Sequence, residues 1–519
     1  MSEQSHESSA KETDCEGEAE PKRTHVEWSP FVERLFSTYW GLSLLFGGVS
    51  MLTILFIAAD ECRQCFNKPV DVAEESSKTF WVYGKNSEGG HLKEVYTVLE
   101  RLGYQKTQNP GGDWDLLWAH DYPFRALQAQ LSHLKPHQKV NHFPGCGYIT
   151  NKVDLATSGL RYIPPAFKLP QDKEKLLQFA KMNPNKTFVQ KNNDHRNIKI
   201  EQLSNIDLDK SGSFVQEFVD KPLLLSGHKF DIGIYTVVTS IDPLRVYIYN
   251  GEALLRFCPT KYYPFDPANL DKYVVGDDYL PIWEVPAVDY YYNQLGFGMR
   301  ESLNAYLRSQ GRDPSVIWTQ IEDSIRTVLI AKEPLIAYVL KRFRHKRNFF
   351  EMMRFDFVID EELNIYLLEA NMSPNLSSSH FPPNRLLYQQ LLYNVLGLVG
   401  VGQRIHKNTL EVRSKEEELM IVSEKQLATY PEKCNSPLCR SSCVSPDCQL
   451  CKPCLSPETK RYLIEAFKEH LHRGDCKRIF PPVEIRDEAL KAVEDSYSAE
   501  NQLHYSWFKG KCLLDSTWC

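Results

Sequence analysis

The chain has 519 residues, enough for several domains and a sizeable core. Its 42% hydrophobic and 25% charged content is ordinary for a globular protein. A net charge of −6 excludes the basic excess that a nucleic-acid binder carries. Residues 1–38 are polar and mainly acidic, with Glu3, Glu7, Glu12, Asp14, Glu16, Glu18 and Glu20 ahead of Lys22 and Arg23. Such a composition cannot bury enough surface to order itself, so a flexible tail is expected.

Residues 39–59 contain Trp40–Ala59, an uncharged run of 20 residues that as a helix just spans a hydrocarbon core. Tyr39 and Trp40 at its entry fit an interfacial anchor. One transmembrane helix is therefore expected, and with it a single-pass membrane protein. Its orientation stays open, because Lys22, Arg23 and Arg34 before the run balance Arg63, Lys68 and Lys78 after it. Thirteen of the fourteen cysteines follow the run, which favours a lumenal, oxidising side for the rest of the chain.

After a linker at 60–78, an α/β pattern begins. Thr79–Tyr83 predicts a strand, His91–Leu102 a helix with apolar residues at helical spacing, and Asp115–Trp118 a second strand. Thr187–Lys191 and Ser213–Val219 predict further strands. Lys191 closes the first of these, where a lysine can reach nucleotide phosphates or simply be solvated. Ile232–Thr239 and Leu244–Tyr249 are β-rich runs around an Asp242-Pro243 turn, with Lys229, Asp231 and Arg256 near strand ends. Helices are expected at 299–311, Val316–Ile330, Pro334–Leu340 and Arg385–Val399. The basic run Lys341–Arg347 is either a solvated face or an attractor of acidic polypeptide tails. Six cysteines fall within 434–454, readable as zinc ligands or a disulfide knot; no nearby histidine pair completes a zinc pattern, which tips the reading towards disulfides.

The chemistry concentrates in 349–376. Phe355–Ile359 and Ile365–Leu368 are apolar runs joined by a polar turn, a β-hairpin signal. Asp356 interrupts the first run, while Glu369 and Asn371 close the second and share a face. If Asp360 faces Ile365, Asp356 falls opposite Glu369. Two carboxylates and an amide that converge in this way need a counter-ion, and hard oxygen ligands suit Mg²⁺. From these residues alone, a half-exposed hairpin with solvated acids reads equally well.

VNHFPG with NKVDL, then FVQK, then FVQEFVDKPLLLSGHKFDIGIYTVVTSIDPLRVYIYNGEALLRF, then FDFVIDEELNIYLLEANMSPNL occur in this order. Together, over about residues 79–400, the chain resembles the tubulin–tyrosine ligase-like family of the ATP-grasp superfold, of the tubulin polyglutamylase type. The resemblance implies an α/β (α+β) ATP-grasp domain at 79–405, with an N lobe at 79–160, a central lobe at 161–225 and a C lobe at 226–405. A linker at 406–433 and a Cys-rich segment at 434–519 would follow. It implies an ATP-dependent carboxylate–amine ligase that adds free glutamate to glutamate side chains of tubulin tails through an acyl phosphate, with ATP and Mg²⁺ as cofactors. By residue, Asp356, Glu369 and Asn371 match the metal ligands. Lys191 and Lys229 match lysines on the ATP phosphates, Lys229 within a motif that continues with Phe230 and Asp231. Gln216, Glu217, Phe218 and Val219 match the adenine-reading segment. Arg196 matches a phosphate-side residue and Arg256 an arginine for the incoming amino acid; with Lys191 these are the expected catalytic residues.

Three departures stand out: Asn197 where glycine is expected, Gly233 in place of an arginine near the transferring phosphate, and an irregular loop at 263–291 in place of a Thr-Asn segment. They leave two alternatives, a membrane-anchored ATP-grasp binding protein without turnover and a ligase for a non-tubulin substrate of the secretory pathway. Tubulin as substrate would put the domain on the cytoplasmic side.

Overall fold

The structure, a computed structural model, describes residues 78–192, 199–201, 203–402, 422–482 and 497–519. The acidic tail, the run Trp40–Ala59, nearly all of the 60–78 linker, and Arg196 with Asn197 lie outside the described residues.

Thr79–Tyr83 (β1), Gln105–Lys106 (β2), Leu116–Ala119 (β3) and Lys139–Val140 (β4) form a parallel sheet in the order β2-β1-β3-β4. The helix Lys93–Arg101 (α1) links the first two strands and buries Val95, Val98 and Leu99, the stripe expected from the spacing. Beyond β4, His142 holds two partners at once. Its Nδ1 lies 2.7 Å from Glu351 Oε1 and its Nε2 lies 2.8 Å from the Ala119 carbonyl. The Phe143 amide donates to the other Glu351 oxygen at 2.9 Å. This buried cluster fastens the Val140–Gly145 loop to the strand that starts at Glu351.

The short helix Lys152–Ala156 (α2) is capped by Asn151, whose side chain accepts from the amides of Val153 and Asp154. A second sheet, β5-β8-β6-β7, comprises Ala166–Leu169 (β5), Phe188–Asn192 (β6), Lys199–Glu201 (β7) and Ser213–Glu217 (β8). Helix Lys173–Met182 (α3) packs on β5 and shares a small core with Leu169, Phe188 and Val215.

The third sheet is organised by one long strand. Leu224–Leu225 (β9) leads into His228–Ile241 (β10), followed by Leu244–Tyr249 (β11), Leu254–Phe257 (β12) and Leu280–Pro281 (β13). One edge of β10 takes β12 along residues 230–233 and β11 along 236–241. Its other edge takes Glu351–Ile359 (β14), which pairs in turn with Ile365–Asn371 (β15). Strands β10, β11 and β14 are buried almost throughout, which is why they read as near-continuous apolar runs. Met299–Ser309 (α4) and Ser315–Leu340 (α5) follow β13, and Asn384–Leu398 (α6) follows β15. Helix α5 crosses β10, β11, β14 and β15, burying Ile317, Ile321, Ile325, Val328, Ile336 and Leu340. It is continuous through Pro334, where the sequence suggested two helices.

The C-terminal segment is part of this sheet. Cys476–Phe480 (β16) pairs antiparallel with β11. Pro457–His472 (α7) begins with Ser456 capping the Thr459 amide and Pro457 at the first helical position. With Ala499–Leu514 (α8) it builds a second core from Val422, Leu427, Leu463, Phe467, Trp507, Phe508 and Trp518. The six cysteines of 434–454 pair as Cys434–Cys451, Cys439–Cys448 and Cys443–Cys454, and Cys512 pairs with Cys519.

The expected single-pass membrane protein needs correction. No helix among the described residues is long and apolar enough to cross a membrane. The longest, α5 with 26 residues, carries Glu322, Asp323, Arg326, Lys332 and Glu333 along its length and packs on the sheet. The anchor rested on Trp40–Ala59 alone, outside the described residues, and a membrane contact through one helix is withdrawn with it.

Candidate active site

The hairpin β14–β15 starts one residue out of the register that the sequence suggested, and a bulge restores it. Ile359 pairs with Ile365 and Phe357 with Leu367, yet Asp356 pairs with Glu369 and Arg354 with Asn371. Leu368 is the extra residue, and a bulge of this kind re-aims the side chains that follow it. Across the neighbouring strands Asp356 pairs with Gly233 on β10, and Asp231 pairs with Arg256 on β12. One face of the sheet thus carries Arg256, Asp231, Asp356, Arg354, Glu369 and Asn371 in adjacent rows.

These side chains form one hydrogen-bonded group. Arg256 clasps Asp231, Nε to Oδ1 at 2.9 Å and Nη2 to Oδ2 at 2.8 Å, and the same Nη2 reaches Asp356 Oδ2 at 3.1 Å. Arg354 clasps Asp356, Nε to Oδ1 at 2.6 Å and Nη2 to Oδ2 at 2.9 Å. Asn371 Nδ2 donates to Asp356 Oδ2 at 2.9 Å and to Glu369 Oε1 at 3.1 Å. Lys152, at the start of α2, reaches Glu369 Oε2 at 2.6 Å.

The group opens onto a cavity of about 860 Å³ between the second and third sheets, lined by every described residue of the expected site. Val189, Phe214, Phe218 and Leu368 supply apolar surface. Lys191 donates to Gln216 Oε1 at 3.0 Å, and Gln216 donates to the Pro164 carbonyl at 3.2 Å. Glu217 pairs with Lys186. Lys229 donates to the Tyr273 carbonyl at 2.7 Å and lies 5.4 Å from the centre of the Phe218 ring. Phe230 and Val219 complete this part of the wall.

The charged groups of the cavity wall are held partly out of water, and their proton affinities shift accordingly. Burial lowers the Lys191 ammonium to about 8; Glu369 opposes the shift, while Lys229 and Lys152 add to it. Burial likewise lowers Lys229. Burial raises the Asp231 carboxyl to about 6, against the pull of Arg256. Against the burial that would raise it, Lys152 and Asn371 help to bring Glu369 down to about 2. Close-set cations held out of water favour an anionic guest that rejoins them. A nucleoside triphosphate with its divalent cation fits this donor set: Asp356 and Glu369 present carboxylate oxygens, and a half-turn of the Asn371 amide replaces its donor with an acceptor.

Two contributors were not singled out in the sequence, and a third stood out there only as a departure. Lys152 was noted only as part of NKVDL, and Arg354 only as one residue of the 349–376 stretch, just ahead of the apolar run Phe355–Ile359. The irregular loop at 263–291 turns out to be wall: Tyr273 to Tyr279 line the cavity, and Tyr279 lies against Phe381 with ring centres 4.1 Å apart and the rings tilted by 31°. The basic run Lys341–Arg347 is elsewhere. Its residues 344–347 line a separate cavity of about 650 Å³, with Lys346 paired to Asp242 at 3.0 Å and Arg347 to Glu465 at 3.3 Å.

The profile of the tubulin-tyrosine ligase family matches residues 129–408. A probable tubulin polyglutamylase of Caenorhabditis elegans, ttll-15, is 43% identical over 439 residues, 83% of this chain and 84% of that protein. Mouse tubulin polyglutamylase TTLL6 is 32% identical over 340 residues, 61% of this chain and 40% of its own length. Human tubulin monoglutamylase TTLL4 is 28% identical over 452 residues, 80% of this chain and 37% of its own length. The chain belongs to the tubulin–tyrosine ligase family, whose members are ATP-dependent ligases.

Proposed function

We propose that this chain joins the amine of free glutamate to glutamate side chains in the acidic tails of tubulin, using ATP and Mg²⁺. The observation that carries the reading is the convergence of Asp356, Glu369 and Asn371 on one point of a cavity that also holds Lys191 and Lys229. The names of the relatives, polyglutamylases and a monoglutamylase, support glutamate as the added residue.

Magnesium–ATP, when bound, supplies the phosphoryl group that converts an acceptor carboxylate into an acyl phosphate, from which the incoming amine displaces phosphate. The chain's own work is to bring anions together. Asp356, Glu369 and Asn371 would hold the metal, and Lys191 and Lys229 would offset the phosphate charge. The wall from Gln216 to Val219 would take the base, with Phe230 and Asp231 beneath the phosphates. Arg256, fixed by Asp231, would present a guanidinium to the carboxylate of the incoming amino acid, and Arg196 would complete the phosphate side. A second reading, nucleotide binding without turnover, is favoured by one observation: Asp356 already accepts from two guanidinium groups and an amide.

Incubating purified chain with ATP, Mg²⁺, labelled glutamate and tubulin-tail peptides tests the reading. Label should enter the peptide and be lost with Asp356→Ala. No incorporation by the unmodified chain, with nucleotide still bound, would leave the second reading standing.

A further inference from the structure

Gly233 stands in the middle of a 14-residue buried strand, where a glycine weakens the strand and marks a close approach by some other group. A side chain at this position is excluded by space. An ideal Cβ there would lie 2.8 Å from Arg354 Cδ, 3.1 Å from Arg354 Nε and 3.3 Å from Asp356 Oδ1. Arg354 cannot simply swing aside, because its guanidinium is fixed on Asp356 by two hydrogen bonds and the residue is only 6% exposed. The volume that any side chain at 233 would fill is therefore occupied by the stem of Arg354, arriving from the adjacent strand.

The place where that guanidinium ends is specific. Arg354 pairs across β14–β15 with Asn371, and its own partner is Asp356, so it lies between two of the proposed metal ligands and lines the main cavity. A guanidinium has five N–H donors, and Asp356 takes two of them. The planar fork suits a phosphate oxygen as well as a carboxylate.

We propose that Gly233 and Arg354 are complementary: Arg354, reaching through the space that Gly233 leaves, is the cation that contacts the terminal phosphate of a bound nucleoside triphosphate while holding Asp356 in position. The cation missing from position 233 is thereby supplied from β14. This rests on the ligase reading only in taking the guest to be a nucleotide.

The test is calorimetric binding of a non-hydrolysable ATP analogue and of ADP, both with Mg²⁺, to the full chain. Arg354→Ala should weaken the triphosphate at least tenfold and the diphosphate less than threefold. The exchange Gly233→Arg with Arg354→Gly should restore the triphosphate to within threefold of the unmodified chain, whereas Gly233→Arg alone should bind it poorly. Should Arg354→Ala fail to fold, the exchange variant decides, since it keeps one guanidinium in the same volume. Equal loss of both nucleotides with no rescue by the exchange would make Arg354 a structural residue and overturn the proposal. So would unchanged binding in Arg354→Ala. If the unmodified chain binds neither nucleotide, the nucleotide site itself is wrong and the ligase reading falls with it.

Discussion

Asp356 faces Glu369 directly across the β14–β15 hairpin, although the two strands begin pairing one residue out of the register that would bring them together. The bulged Leu368 makes up the difference. Without it Asp356 would face Leu368, and Glu369 with Asn371 would turn to the opposite face of the sheet. The proposed metal-binding arrangement is thus a property of the bulge as much as of the acids.

Glu369→Gln removes one charge from that arrangement while keeping its shape. Glutamate incorporation is expected to fall roughly 100-fold or more, since each charged group that stabilises a transferring phosphoryl carries several kcal/mol. The thermal midpoint should fall only modestly, because the Lys152 side chain lines the cavity, 22% exposed, and its ammonium can take up water there. Measuring both in parallel separates chemistry from folding, and full activity in Glu369→Gln would remove this residue from the metal site.

Lys191 gives the site a dependence on pH. Its ammonium is held to about 8, chiefly by burial, so the free protein loses this charge as the pH rises through that value. The charged form is the one that binds polyphosphate. ATP affinity should therefore be steady below about pH 7 and fall by up to about tenfold per unit above pH 8. Lys191→Arg, whose guanidinium stays charged, should flatten the profile. Titrating ATP affinity against pH in both proteins checks this, and identical profiles would show that another group titrates.

The elements legible in the sequence were those whose burial has a local period. Strands β1, β10, β11 and β14 read as apolar runs, and α1, α4 and α6 as amphipathic or apolar helices, because the core side of each is written in consecutive residues. Pro334 misled, since the lost amide is a local defect while the buried stripe continues past it in Ile336 and Leu340. The convergence of Asp356, Glu369 and Asn371 was legible because one hairpin supplies all three. Lys152 was not, since nothing near it in sequence announces Glu369. Arg354 was hidden for a different reason: a charge inside an apolar run means little until the neighbouring strand is known to carry a glycine beside it. Strand β16 was missed because CKRIF has neither a clean alternation nor an apolar run, and it is a strand only because β11 offers it an edge.

The disulfides at 434–454 close loops with separations of 17, 9 and 11 residues, outside the matched family region 129–408. Each is worth about 2–4 kcal/mol to the segment it closes. Reduction should lower the melting temperature of the C-terminal segment while leaving nucleotide affinity within about twofold, because no residue of 434–454 lines the main cavity. Calorimetry with and without reductant checks both halves. A parallel loss of nucleotide binding would show that the segment supports the site.

Besides the β11–β16 pairing, a buried ion pair ties that segment to the rest. Glu469 on α7 accepts from Arg245 on β11 at 2.8 and 2.9 Å, from Tyr247 at 3.0 Å and from Thr239 at 2.9 Å. Burial works against the Arg245 charge, and Glu469 more than offsets it, so its pKa lies above the usual arginine value. Glu469→Gln strands that guanidinium in the core and should cost about 3–5 kcal/mol. Replacing both partners, Arg245→Met with Glu469→Leu, removes the charge and its counter-charge together and should cost much less. Chemical denaturation of the single and double variants measures the difference. Limited proteolysis locates it, since a loosened α7 should release the C-terminal segment first. Equal destabilisation in the two variants would mean that α7 is held by its apolar contacts, with the ion pair contributing little.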